Sequence, residues 1–307
     1  MKMMRIIAII LIMASVTALF ACGTVNNSKD ETNDILTDEE KGSIVLLDEY
    51  ESYVTDKGLT ETIVKENMKD RKVTIFGEDY VGVYQETRSG RSSYMTDCYQ
   101  DALGREFYFR CDTDELDGFD LSTLQLLNRD YYLDDVKEPQ KHAEELAKEI
   151  AQTYVDDIDE YEMVTKSSIT DREKDGKTYY LTRYTIEFIK KVAGYETLDK
   201  VTVGVNSKGT VFFVSVGDID VFSDADLKID KEALDKSIDL AVTNDYENSS
   251  YQVIGYNIRQ QKLYAMFNGD VCIVTSLGVN LKTEVGDEFA TGVMIMTKIG
   301  ERVLAKE

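Results

Sequence analysis

Residues Val201 to Val216 read VTVGVNSKGTVFFVSV. Two runs rich in β-branched and aromatic residues flank Asn206-Ser207-Lys208-Gly209, and Gly209 can take the left-handed conformation that closes a hairpin. Working outward, KTYYLTRYTIEFI from Lys177 and EMVTKSSITDRE from Glu162 lie on either side of the turn pair Asp175-Gly176. Together these runs predict an antiparallel meander. Upstream stands the chain's sole proline, Pro139, just before KHAEELAKEIAQTYV. Ala143, Leu146, Ala147, Ile150, Ala151 and Tyr154 recur at helical spacing, so a helix is expected from Pro139 to Val155 with the proline in its first turn.

The arrangement then restarts. IDKEALDKSIDLAVTNDY from Ile229 is amphipathic through Leu234, Ile238, Ala241 and Val242, and YQVIGYNI, KLYAMF and VCIVTSL follow it. Asn268-Gly269 between the last two is a strong hairpin signal. A shift that places Ala143 on Ala233, Ile150 on Leu240 and Ala151 on Ala241 also places Tyr161 on Tyr251, as an internal repeat would. Upstream of both, Ile44 to Asp70 is expected to form two helical stretches broken at Gly58. Lys72 to Asp112 alternates polar residues with Tyr, Val and Phe and reads as half-buried strands. DTDELDGFD from Asp112 reads as an acidic turn, and LSTLQLLNRDYYL as a helix or an irregular cover.

AEELAKEIA, the hairpin with its DGK turn and VTVGVNSKGTVFFVSVG together resemble the PepSY or cystatin-like plan, in which a curved antiparallel sheet wraps one helix. The resemblance covers Lys137 to Gly217 and, more weakly, Lys228 to Ile299. It implies an α+β fold of antiparallel sheets each packed on a helix, in two repeated helix-plus-meander modules. These would occupy residues 137–222 and 223–307, after an N-terminal α+β region at 44–136. It also implies a secreted or membrane-attached protein, a peptidase-inhibitory or regulatory role, and no catalytic residues.

The chain opens with Lys2 and Arg5, followed by the uncharged and mostly apolar run Ile6 to Ala21. A spanning helix needs about 20 apolar residues, so this run suits a signal-peptide core better than a span. It ends in LFACGT, Leu19 to Thr24, with no Lys/Arg cluster behind it. The segment resembles a bacterial lipoprotein signal peptide with Leu19, Phe20, Ala21 and Cys22 as the lipobox, Phe20 being bulkier than the usual occupant. The resemblance implies removal of residues 1–21 and diacylglyceryl attachment at Cys22. Two acyl chains hold a protein stably on a membrane where one does not. Residues 22–43, polar and charged over NNSKDETNDILTDEEK, read as a flexible tether.

The formal charge of -23 repels phosphate, so nucleic-acid partners and adsorption to anionic lipid by charge are excluded. Beyond Cys22, three cysteines allow at most one bridge. With Gly104 as the left-handed residue of DALGRE, Asp101 pairs with Arg105, Cys98 falls opposite Tyr108 and Cys111 opposite Met95. That offset suits a disulfide poorly, so free thiols are expected. His142 is the only histidine, which removes most metal sets and base-assisted nucleophiles. There is no H-E-x-x-H, C-x-x-C or G-x-x-x-x-G-K. DTDELDGFD breaks the EF-hand pattern, with Leu116 at its fifth position, Asp117 in place of the glycine and Thr123 at its twelfth, and DIDVFSDAD from Asp218 fails similarly. The 19 Tyr and 11 Phe, such as Tyr179, Tyr180 and Tyr184, sit mainly in strand-like runs and read as structural.

The expectation is a non-catalytic, cofactor-free lipoprotein anchored through Cys22 on the extracytoplasmic face of the cell membrane, with a protein or peptide as its ligand. The rivals are a carboxylate-dependent extracellular hydrolase, which needs two facing acids, and a solute- or carbohydrate-binding lipoprotein.

Overall fold

The structure, a computed structural model, describes residues 44–46 and 62–301, apart from 90–93, 124–127, 134–135, 218, 223–226, 228, 248 and 267–268. All of these belong to one compact unit, Ile35–Glu307.

Strands dominate. β1 (Ile44–Leu46), β2 (Thr62–Ile63) and β3 (Arg71–Ile75) lead into a meander of β4 (Glu78–Ser89), β5 (Met95–Gln100), β6 (Glu106–Arg110) and β7 (Leu116–Asp120). α1 (Pro139–Ala151) and a 3-10 turn (Ile158–Glu160) precede a second meander. It comprises β8 (Glu162–Lys174), β9 (Lys177–Val192), β10 (Tyr195–Asn206) and β11 (Val211–Val216). α2 (Lys231–Tyr246) then leads to the third, β12 (Tyr251–Ala265), β13 (Asp270–Thr283) and β14 (Glu288–Glu301).

The described strands join into one 14-stranded sheet. Its branch point is β10. One edge of β10 pairs with β9 along its length, while the other is shared: β11 takes Val201 to Val205, and β12 takes Glu196 and Thr197. The β10–β12 pairing, Glu196 with Lys262 and Thr197 with Leu263, is parallel, whereas the other described pairings are antiparallel. β7 pairs with β11 and so brings in the first meander, and β1 closes the third against β14.

The expected α+β architecture of separate helix-packed sheets in two repeated modules is therefore replaced by one large mixed sheet with few helices. The physical reason is that each meander alone would leave long rows of backbone N–H and C=O groups open at its edges. Pairing β7 with β11, and β10 with β12 over two residues, closes part of these edges.

Among the described residues two large apolar cores lie on this sheet, with a small third cluster of Met266, Cys272, Val274 and Met296. Ala143, Ala147, Ile150 and Ala151 of α1 pack with Ile186, Phe188, Val201, Val203 and Phe107 in the first. Leu234, Ile238, Ala241 and Val242 of α2 pack with Ile273, Leu277, Val279 and Ile295 in the second.

Other expectations change in detail. α1 stops at Ala151 rather than Val155. The helical reading of 44–70 fails where it can be checked, since Ile44–Leu46 pairs with β14 and Thr62–Ile63 with β4; residues 47–61 lie outside the described ones. LDGFD within the expected acidic turn is strand β7. YQVIGYNI and the KLYA of KLYAMF belong to one strand, β12, bulged at Val253/Gly255 and at Ile258/Gln260.

Candidate functional site

Cys22 and the lipobox lie outside the described residues. His142 is exposed on the first turn of α1, against Gly209. Asp112, Asp114 and Asp117, grouped in the sequence, are separated by their partners. Asp112 pairs with Arg110, Asp114 with Arg71, and Asp117 accepts from the Tyr94 hydroxyl at 2.8 Å. Among the described residues no group of three or more His, Cys, Asp or Glu could hold a metal ion. Cys98 and Cys272 are buried, Cys111 is exposed, and all three are free thiols.

The strongest constellation of reactive side chains was not visible in the sequence. Tyr84 and Thr87 on β4, Asp97 on β5, Cys111 beyond β6 and Lys65 beyond β2 converge on one carboxylate. Lys65 Nζ approaches Asp97 Oδ1 at 2.7 Å, and the Cys111 thiol donates to the same oxygen at 3.3 Å. The Thr87 hydroxyl donates to it as well, and Tyr84 lies 2.7 Å from Thr87 Oγ1. Burial alone would raise the pKa of Asp97, but the hydrogen bonds from Lys65, Thr87 and Cys111 outweigh it and hold the carboxyl below its ordinary range. The Cys111 thiol is pushed up to about 11 by burial and by its bond to Asp97. A thiol in that state is a hydrogen-bond donor and a poor nucleophile. The cluster clamps the first meander. The hairpin register that sets Cys111 against Met95 was the available clue, because it leaves the thiol beside Asp97.

The remaining buried acids are similarly committed. Asp199 is pushed above its ordinary pKa by burial, although bonds from the Tyr161 hydroxyl and the Asp220 backbone N–H oppose this. Asp220 is near it, with Lys190 3.3 Å from the Asp220 carboxylate. Asp199 is only 1% exposed, so a substrate has no route to it. Asp130, fully buried, takes the Asn206 amide at 2.5 Å and the Arg129 guanidinium at 3.2 Å.

An accessible, partly apolar surface lies on β8, β9 and the start of α1. α1 covers Tyr184, Ile186 and Phe188 of β9, and Glu144 reaches over to accept from the Thr165 hydroxyl on β8. Between the first turns of α1 and the sheet opens a shallow hollow of about 420 Å³, lined by Glu138, Pro139, Gln140, Lys141, Glu144 and Tyr184. Beyond it the hairpin continues uncovered on that face, with Ile169 at 69% and Tyr180 at 62% exposure. Tyr179 has a structural role against Tyr132, their ring centroids 4.7 Å apart, and Tyr184 is buried. Tyr180 departs from the expected structural use of these rings.

No protein-family model, curated protein or solved structure matches the chain.

Proposed function

We propose that the chain is a lipoprotein held through Cys22 on the extracytoplasmic face of the cell membrane, with a body that binds a protein or peptide ligand and performs no chemistry. The anchor rests on the order Lys2, Arg5, apolar run, Leu19-Phe20-Ala21-Cys22 and polar tether. The non-catalytic reading rests on one observation: Asp97, Asp117, Asp130 and Asp199, the acids best placed by burial for proton transfer, each accept a hydrogen bond from a donor of the same chain. A general acid or base must instead reach a substrate atom at hydrogen-bond distance. The binding reading draws on the uncovered face of β8 and β9, where Ile169 and Tyr180 offer apolar contact beside polar backbone.

The test has two arms. Cells fed an alkyne-tagged fatty acid are expected to label the wild-type chain in the membrane fraction, and Cys22→Ala is expected to lose both the label and the membrane retention. Unchanged retention of the unlabelled variant would remove the anchor. For the body, a photo-crosslinker at Tyr180 is expected to give discrete adducts that Ile169→Glu abolishes and that a crosslinker at exposed Val285 does not reproduce. Identical adducts from both positions would remove the binding face.

A further inference from the structure

We propose that β8 is a dimerisation strand that pairs antiparallel with β8 of a second copy of this chain about a two-fold axis at Ser168.

Among the described residues β8 pairs with β9 alone, over 13 residues and without a register shift. Its open edge can be read from the ladder. The Thr182 carbonyl of β9 accepts from Ser207 N–H at 2.7 Å, on the side away from β8. Its partner Ile169 therefore turns its own backbone polar groups away from β9. By alternation Met163, Thr165, Ser167, Ile169, Asp171 and Glu173 present N–H and C=O along the free edge. Natural edge strands are usually shortened, bulged or broken by proline. β8 is long, unbulged and free of proline, its flank is exposed along nearly its whole length, and its one protective device is charge.

Its charges single out the occupant. The strand carries Glu162, Asp171 and Glu173 against Lys166, Arg172 and Lys174, so it is neutral within a strongly acidic chain. A two-fold axis at Ser168 sets Glu162 opposite Lys174 of the second copy at both ends. It also sets Lys166 opposite Thr170, Val164 opposite Arg172, Thr165 opposite Asp171 and Met163 opposite Glu173. No like charges face each other, and edge-facing residues meet edge-facing residues throughout. Moving the axis to Ile169 would instead oppose Lys166 and Arg172. Cross-strand like-charge pairs are destabilising, which rules against the Ile169 axis; an axis at Ser167 avoids them too, but Ser168 is the midpoint of the strand and pairs all 13 residues. Ile169 lies beside the axis, and because edge pairing extends the sheet in its own plane, the face that carries Ile169 and Tyr180 stays open to the ligand proposed above.

Ser168 would then face its own counterpart in a non-hydrogen-bonded pair with Cα atoms about 4.5 Å apart, within the disulfide range of about 4.4–6.8 Å. Arg172 would stand roughly 27 Å from its counterpart, eight residues along at about 3.4 Å each. The full-length chain is prepared with Cys111→Ser alone, and with Ser168→Cys or Arg172→Cys added. Mild oxidation at low micromolar concentration is expected to give about ten-fold more covalent dimer from Ser168→Cys than from Arg172→Cys. The Cys111→Ser parent measures any bond through Cys22. Sedimentation of the wild type is expected to show a dimer that Ser167→Pro converts to a monomer with unchanged circular dichroism, since among the described residues that N–H faces the open edge and has no ladder partner. Equal cross-linking at both positions, a monomeric wild type, or a dimer indifferent to Ser167→Pro would each overturn the proposal.

Discussion

Asp97 collects donors from Lys65, Thr87 and Cys111, and that sharing has two measurable consequences. Its folded pKa is depressed, so its contribution to stability is present above the ordinary carboxylate pKa and is lost as pH falls through the folded one. Denaturant titrations between about pH 3 and pH 7 are expected to show a shallower acid limb in Asp97→Asn than in wild type. Superimposable limbs would mean that another carboxylate governs acid sensitivity. The same substitution removes the negative charge that helps keep the Cys111 proton in place. Its pKa, raised to about 11 by burial and by Asp97, is expected to fall, and alkylation of Cys111 at pH 8 to accelerate several-fold. Cys98 and Cys272, buried and raised to about 11 and about 12, should stay unlabelled until the chain unfolds. Gly118 shows a different residue-scale constraint. A Cβ there would meet the Val214 carbonyl oxygen at 2.4 Å, so Gly118→Ala forces β7 away from β11. The expected loss is on the order of 1–3 kcal/mol by chemical denaturation, and a neutral result would show that the β7–β11 contact yields easily.

The two helices begin in opposite ways. α2 is capped by Asp230, whose side chain accepts from the Glu232 and Ala233 N–H groups. α1 starts from Glu138 at φ 48 with no side-chain cap, its first turn fixed by Pro139. Asp230→Ala is therefore expected to cost about 1 kcal/mol. Glu138→Gly is expected to gain several tenths of a kcal/mol by relieving a left-handed conformation that glycine adopts freely. Thermal melts of the two variants shifting in the same direction would contradict the cap assignments. Elements of this kind are what the sequence reveals best, because their signals are local. Pro139, the Asp175-Gly176 turn with φ of 52 and 72, and Gly209 at φ 77 each lie inside the few residues they organise. The Asp101 to Arg105 turn even placed Cys98 opposite Tyr108 and Cys111 beside Met95, as found. Reading failed where a distant partner decides. Leu116 to Asp120 carries two Asp and a Gly, a turn composition, yet it is a strand because β6 and β11 both pair with it. Ile44 to Leu46 looks helical in isolation and becomes a strand against β14. The Asp97 cluster was hidden for the same reason, since Lys65 and Asp97 share no local pattern.

At the scale of the molecule, the apparent repeat of helix and meander dissolves into one sheet, but the two large cores under α1 and α2 stay separate. The core under α1 extends into the first meander through Phe107 and Phe119, and the core under α2 takes in only Val192 and Tyr195 from the β9–β10 turn. Among the described strands, the backbone link between these regions is the two-residue parallel pairing of Glu196 and Thr197 with Lys262 and Leu263. So short a pairing transmits little cooperativity compared with the long ladders of β12 with β13 and β13 with β14. The β12–β14 wing with α2 is therefore expected to open as its own unit under native conditions. Ile273→Ala, at a position with no exposed surface, should lower the stability of that wing by about 2–5 kcal/mol. Native-state hydrogen exchange is expected to speed up throughout α2, β12, β13 and β14, while the amides of α1 and β4 to β7 keep their wild-type protection. Uniform acceleration across both regions would show instead that the branch at β10 couples them into a single folding unit, with the Val192–Tyr195 turn acting as a bolt between the cores. The contrast can be read from one peptide map, since every peptide of the first meander serves as an internal control for the third.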